Sequence, residues 1–177
     1  EFEAGADLRF LKDRLSLSGT YFNNRTVDVL LDFPVANSRG YTDVYSNGAE
    51  IQNEGIELDL GYQLVRSKNF DWDLSANFTS VKNTVVDMQG VASINLGGLA
   101  AVSARAVEGQ PLGVLWGSRI QRNEDGSIVF DENGFPRQDL TEGVIGDPNP
   151  DWQGSLTSGW SFKNFRLSVL FETYQGA

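Results

Sequence analysis

Carboxylates dominate the reactive side chains of this 177-residue sequence: 24 Asp and Glu stand against 14 Lys and Arg, giving a formal charge of −10. Glu57 and Asp59, then Asp71 and Asp73, are carboxylates two residues apart, and a glycosidase needs a carboxylate pair flanking a sugar bond. Asn123, Asp125, Asp131, Glu132 and Asn133 offer the hard oxygens that calcium takes. Trp116, Arg119 and Arg122 have the types that contact a ligand or a protein cap. Simpler readings compete with each. The first four carboxylates alternate with apolar residues and are not gathered in one cleft, as on the hydrated face of a strand. The oxygen-rich segment lacks the D-x-[DN]-x-[DN]-G frame and following Glu of an EF-hand, and turn chemistry accounts for it equally well. Solvated loop positions account for Trp116, Arg119 and Arg122 just as readily. Gly97-Gly98 has no following Lys and no G-x-G-x-x-G frame, so a phosphate site is not expected.

The sequence contains no His and no Cys. Ser-His and Cys-His triads, His- or thiolate-held metals and disulfides are therefore excluded. No nucleophile–base constellation remains, so the expectation is a protein that is not an enzyme. It has no assigned catalytic, metal or cofactor residues, and its substrate-binding residues are undetermined. The acidic balance argues against nucleic acid, whose binding needs clustered Lys and Arg.

The elements carrying these residues follow from a period of two. From Gly55 to Leu64 the even positions are Ile56, Leu58, Leu60, Tyr62 and Leu64, and the odd ones are small or polar. A strand gathers the apolar set on one face; a helix would wind it around the whole circumference. The same alternation runs through segments near 2–11, 14–30, 51–64, 70–83, 152–162 and 165–175, with Leu170 as an exception in the last. Globular strands average about 5–6 residues, whereas strands that cross a bilayer in a barrel need about 9–11. Phe10, Tyr62, Phe70, Trp72, Trp152, Phe162, Phe165 and Tyr174 sit toward strand ends, where barrels carry aromatic girdles. No apolar run approaches the roughly 20 residues of a membrane-spanning helix; Leu99-Ala100-Ala101-Val102 is among the longest.

Lys12-Asp13, Val65 to Asn69, and Lys163-Asn164 read as short connections, and Asp32 to Glu50 and Thr84 to Asp151 as long ones. Short and long alternate along the chain, as periplasmic turns and extracellular loops do in bacterial barrels. The strand ending at Asn83 rises from a short turn, and the one starting at Trp152 descends to another. Residues 84–151 must then cross the membrane an even number of times, and zero is the simplest case. This makes 84–151 a long extracellular loop region. Within it Leu112 to Arg122 is strand-like, and Asp125-Gly126 and Asn133-Gly134 are expected to turn small hairpins. The small apolar stretch from Leu99 to Val107 predicts a packed or partner-covered loop. The first residues show no signal-peptide pattern and the last stop in mid-alternation. The expectation is an internal fragment, 1–177 being part of one barrel domain.

Three stretches carry a family resemblance. Asn47-Gly48-Ala49-Glu50-Ile51-Gln52-Asn53-Glu54-Gly55-Ile56-Glu57-Leu58 resembles the N-A-G-x-I-x-N-x-G-[VI]-E-[LF] stretch of SusC/RagA-type TonB-linked outer-membrane transporters. Glu108-Gly109-Gln110-Pro111-Leu112-Gly113, with Trp116-Gly117, resembles their E-G-x-P-[IL]-G-x-x-x-G. Ile145 to Trp152, running into Trp160-Ser161-Phe162-Lys163-Asn164-Phe165, is similar to their G-[DN]-x-x-P segment followed by a [FY]-[KR]-[NG]-F turn. Their acidic Asp-x-Asn-x-Asp-Gly stretch survives only as Asp131-Glu132-Asn133-Gly134. The resemblance implies an all-β fold: an arc of a large antiparallel transmembrane β-barrel, with about six membrane-crossing strands of the about 22 in plugged outer-membrane transporters. It further implies import of oligosaccharide or peptide nutrients across the outer membrane of Bacteroidota. The implied partners are a SusD-like surface lipoprotein, outer-membrane lipid, and the TonB–ExbB–ExbD system acting through regions that this sequence does not contain. The competing reading is a secreted or surface carbohydrate-binding β-sandwich, whose inner faces alternate in the same way. A barrel-type enzyme is disfavoured by the missing His.

Overall fold

A computed structural model of the chain describes residues 1–99 and 101–177. Among the described residues ten strands follow one another: β1 (Phe2–Phe10), β2 (Leu15–Pro34), β3 (Asp43–Arg66), β4 (Phe70–Asp87), β5 (Ser93–Leu99), β6 (Val102–Val107), β7 (Val114–Ile120), β8 (Gln138–Gly146), β9 (Trp152–Phe162) and β10 (Phe165–Gln175). They form a six-stranded sheet in the order β1-β2-β3-β4-β9-β10 and a four-stranded sheet in the order β5-β6-β7-β8. Among the described residues no helix is long and apolar enough to cross a membrane, which says nothing of strands.

The chain divides into two compact units, and β2, β3 and β4 contribute to both. The first comprises Glu1–Arg25, Gln52–Lys82 and Pro150–Ala177. In it β1 pairs antiparallel with β2 from Phe2↔Asn23 to Phe10↔Leu15. β9 pairs antiparallel with β4 from Phe70↔Phe162 to Thr79↔Gln153, and with β10 from Phe165↔Phe162 to Gln175↔Trp152. The direct β4–β9 pairing means that the chain between them leaves the sheet and returns to the neighbouring position. Its turns are tight. Leu11, Lys12 and Asp13 all have positive φ, at 55°, 56° and 65°. Ser67 closes the second turn, its amide and hydroxyl both donating to the Phe70 carbonyl at 2.9 and 2.8 Å. The third, at Lys163-Asn164, is anchored by the Lys163 amide donating to the Asn69 carbonyl at 2.9 Å.

The second unit comprises Thr26–Ile51 and Asn83–Asn149. Its core is Phe33, Val85, Met88, Ile94 and Ala106, with Leu31, Val91 and Leu112 packed against it. Two of the family-like stretches act here as fasteners. The Val85 amide donates to the Gln110 carbonyl at 2.9 Å, and the Gly109 amide to Val85 at 2.8 Å. The Leu112 amide donates to Asn83 Oδ1 at 2.7 Å, and Asn149 Nδ2 donates to the Leu112 carbonyl at 3.3 Å. Asp147 Oδ1 in turn accepts from the Asn149 amide at 3.0 Å.

Three expectations need correction. The connection read from Asp32 to Glu50 shortens to residues 35–42, because β2 runs on to Pro34 and β3 begins at Asp43. A 3-10 turn at Asn37–Arg39 and a bond from the Val35 amide to the Thr42 carbonyl (2.8 Å) close it. Within the continuous β2 the left-handed Asp28 (φ 57°) shifts the alternation, and the period of two fades there. β4 likewise extends to Asp87, and β3 to Arg66. The stretch from Leu99 to Val107 is divided: Ala106 is fully buried, whereas Leu99 is 88% exposed, and Ala100 lies outside the described residues.

Gly55, in the first family-like stretch, is required by a close approach. A Cβ there would overlap the Ser80 carbonyl oxygen and stand 2.8 Å from Phe22 Cζ. The Phe22 ring fills the place of the missing side chain. Gly55→Val is expected to destabilise the full-length protein by roughly 1–3 kcal/mol through overpacking, read as a lower temperature of band-shift loss on heated, semi-native gels.

Candidate functional site

The pairing registers sort the six-stranded sheet into two faces. One carries Phe2, Ala6, Leu8 and Phe10 of β1 against Gly19, Leu17 and Leu15 of β2. It continues through Phe70, Trp72, Ala76 and Phe78 of β4, then Trp160 and Leu156 of β9, then Phe165, Leu167, Val169 and Phe171 of β10. Nothing covers it among the described residues: Leu58 is 48% exposed, Leu167 61% and Phe171 65%. A sandwich would bury this face under a second sheet about 10 Å away.

Aromatics mark both ends of the face. Trp72 stacks on Trp160 with centroids 6.4 Å apart, close to the short turns. Toward the other end Phe78 stacks on Trp152 at 5.7 Å, and Phe2 packs against Tyr21 at 6.3 Å. Small and aliphatic residues fill the band between. Ala6, Gly19 and Ala76, rimmed by Leu8, Leu17, Leu58, Leu60 and Phe78, leave a shallow apolar depression of about 510 Å³. Ser158, which intrudes on the face, is buried and accepts a hydrogen bond from Trp72 Nε1 at 2.9 Å. Its polarity is satisfied without water.

The opposite face is hydrophilic. Glu57, Asp59 and Asp73 are exposed and Asp71 is half-buried, at alternate positions of β3 and β4. A polar hollow of about 430 Å³ is lined by Asp13, Arg14, Ser16, Gln63, Asp73 and Thr157, among others. Arg14 lies across the end of β3, with Nη2 donating to the carbonyls of Leu64 at 2.6 Å and Gln63 at 2.9 Å.

In the second unit, the oxygen-rich residues turn hairpins. Asp125 Oδ1 accepts from the Ser127 amide (2.9 Å) and hydroxyl (2.6 Å), and the Gly126 amide closes on the Asn123 carbonyl at 2.9 Å. Asp131 Oδ1 accepts from the amides of Asn133 and Phe135, both at 2.9 Å. Asn123 Nδ2 donates to Ser127 Oγ, and Glu132 is exposed beside Asp131. Among the described residues no three His, Cys, Asp or Glu side chains are grouped to hold a metal ion. The three ligand candidates are ordered by other contacts. Trp116 lies under Arg105, its ring centroid 5.0 Å from the guanidinium carbon. Arg119 Nη2 bonds Asp139 Oδ2 at 3.2 Å and Thr141 Oγ1 at 3.0 Å, and Arg122 Nη1 bonds the Gly126 carbonyl at 2.8 Å.

An antiparallel sheet one layer thick, apolar and uncovered on one face and polar on the other, is a piece of β-barrel wall. The family model described as TonB dependent receptor-like, β-barrel matches residues 1–177. The chain belongs to that family. Curated relatives from Formosa agariphila include TonB-dependent receptor P26, 28% identical over 88% of this chain, and TonB-dependent receptor P3, 22% identical over 99%. The chain spans only 18% and 20% of their respective lengths. In fold it is similar to the RagAB peptide transporter, with a TM-score of 0.76 and 20% identity, covering 98% of this chain and 20% of that one. The RagAB peptide importer in its open-open state gives the same TM-score at 19% identity.

The hairpin carboxylates have a definite pH response. Bonds from Ser127, hydroxyl first and then amide, hold the Asp125 carboxyl below the ordinary aspartate range. The amide and hydroxyl of Thr141, helped by Arg119, do the same for Asp139. A depressed native pKa stabilises above the unfolded value, and that contribution is lost as pH falls through the native one. Amide exchange at Ser127 and Thr141 is expected to be slowed at neutral pH. That protection should persist down to the ordinary aspartate value of about pH 3.9 and be lost only at lower pH, as the depressed native value is crossed, and Asp125→Asn should abolish the pH dependence at Ser127.

Proposed function

We propose that this chain is a wall segment of a nutrient importer in the bacterial outer membrane, driven by TonB–ExbB–ExbD through other parts of the same protein. Its cargo is of the oligosaccharide or peptide class, and a SusD-like surface lipoprotein caps it. The observation that carries this reading is the uncovered apolar face between two aromatic ends. Phe70 and Phe78 lie eight residues apart on β4, about 26 Å along the strand at about 3.3 Å per residue. Tilted by about 35–45° in a barrel, that length rises about 19–22 Å, which places the two aromatic ends near the borders of an apolar band about 25 Å tall. In this placement the short turns at residues 11–14, 67–69 and 163–164 face the periplasm, and residues 84–151 form an extracellular excursion. β2, β3 and β4 then outgrow the bilayer on the outer side. Family membership and the likeness in fold to a peptide importer support the reading, and the polar face then lines the lumen, hydrated and without catalysis.

Two charge insertions on adjacent residues test it. Leu58→Arg, facing lipid near mid-bilayer, is expected to cost about 2–4 kcal/mol and to lower the amount of full-length receptor assembled in outer membranes. Asp59→Arg, on the lumen face, should assemble at normal levels. Equal losses from the two would contradict the placement. Uptake of labelled peptides or oligosaccharides by cells carrying the intact receptor should vanish on deletion of TonB.

A further inference from the structure

The bonds around Arg119 point to a ligand site within the second unit. In the β7–β8 ladder Ser118 pairs with Glu142 and Ile120 with Gln138, so Asp139, Leu140 and Thr141 stand opposite the single residue Arg119. Bulges of this kind re-aim side chains and recur next to binding sites. Asp139 and Thr141 both grip Arg119 Nη2. The guanidinium lies flat on Gly143: a Cβ there would stand 2.9 Å from its Cζ and Nε. The bonds to Asp139 and Thr141 use only Nη2, so the Nε and Nη1 protons of a five-donor group remain available.

That guanidinium borders a cleft of about 510 Å³ lined by Ser118, Arg119, Ile120, Arg122, Asp139, Val144 and Ile145. Arg122 brings a second cation. Ser118 Oγ accepts from Gln138 Nε2 at 2.7 Å, which leaves its own proton free to donate. Folding stability does not explain this cradle, since an ion pair as exposed as Arg119–Asp139 contributes little. Two cations against one carboxylate leave one net positive charge, which suits a monoanion. Planar guanidinium donors match a carboxylate, and Ile120, Val144 and Ile145 give the cleft an apolar wall.

We propose that this cleft binds a carboxylate carried by the imported ligand, with Arg119 as its fixed anchor and Arg122 as the second cation. The proposal rests on the importer reading and adds the chemistry of the cargo. A peptide's terminal carboxylate and a uronic acid of an oligosaccharide share that chemistry. The test is calorimetry on the detergent-purified full-length receptor with four probes: a short Leu- and Val-rich peptide as free acid and as C-terminal amide, and trigalacturonate and its methyl ester. One acid is expected to bind about tenfold or more tighter than its neutral twin, the scale of a charge-assisted hydrogen bond; the pair that discriminates identifies the source. Arg119→Gln should erase that advantage. Gly143→Ala, which keeps every charge but displaces the guanidinium, should reduce it, with the unfolding temperature checked for both variants. Equal binding of acid and neutral probes in both pairs, or binding of none, would overturn the proposal. TonB-dependent uptake of cargo in cells, measured separately, would then still decide the importer reading.

Discussion

Hydrocarbon offers no partner to a backbone N–H or C=O, so every such group inside a bilayer must be paired within the protein. The six-stranded sheet answers that constraint strand by strand, and it does so in a single layer. Its apolar face therefore has no protein interior to enter, and Leu58, Leu167 and Phe171 stand open. Even the hydroxyl of Ser158 is satisfied from within the face, by the Trp72 indole. In water such a surface is a liability for aggregation; against lipid tails it is the solvated state. The two edges of the described sheet, β1 and β10, each have one neighbour, and an open strand edge presents a row of unpaired N–H and C=O groups.

The second unit obeys ordinary aqueous rules. It buries Phe33, Val85, Met88, Ile94 and Ala106 in a small core, ties the β6–β7 connection to β4 through Asn83 and Gln110, and holds Leu112 again from Asn149. Of these, Gln110 and Asn149 lie in the stretches that resemble SusC/RagA-type transporters. Glu108 to Gly113 and Ile145 to Trp152 thus serve backbone pairing. The excursion from the sheet is accordingly a built platform with a sheet of its own, on which an arginine can be held at a fixed angle.

What could be read in advance follows from where the physics is local. β1, β9 and β10 were legible to within a residue or so, because apolar and polar positions alternate from Phe2 to Phe10, Trp152 to Phe162 and Phe165 to Gln175, with exceptions such as Ser158 and Leu170. β2, β3 and β4 outran their legible parts. Beyond Arg25 in β2, before Gln52 in β3 and beyond Lys82 in β4 they belong to the second unit with its packed core instead of facing one uniform solvent, and the left-handed Asp28 disturbs the count. The hairpins at Asp125-Gly126 and Asn133-Gly134 were legible from turn chemistry alone. The β5–β8 sheet was not, apart from β7, because its strands are short and the β5–β6 and β7–β8 ladders are bulged, which breaks the period of two. Arg119 was legible by residue type only. Its cradle depends on a bulge at Asp139 to Thr141 and on Gly143, which no local pattern announces.

The chain contains no cysteine, so a single introduced one is unique within it. Spin labels placed in turn from Gly55 to Tyr62 in the full-length receptor, reconstituted in lipid, report collisions with oxygen dissolved in the bilayer and with a water-soluble nickel chelate. A lipid-facing sheet gives a strict alternation: oxygen access at Ile56, Leu58 and Leu60, and nickel access at Glu57, Asp59 and Gly61. Labels at Ile56, Leu58 and Leu60 shielded from both reagents would contradict that alternation and mean that protein, not lipid, covers this side of the sheet.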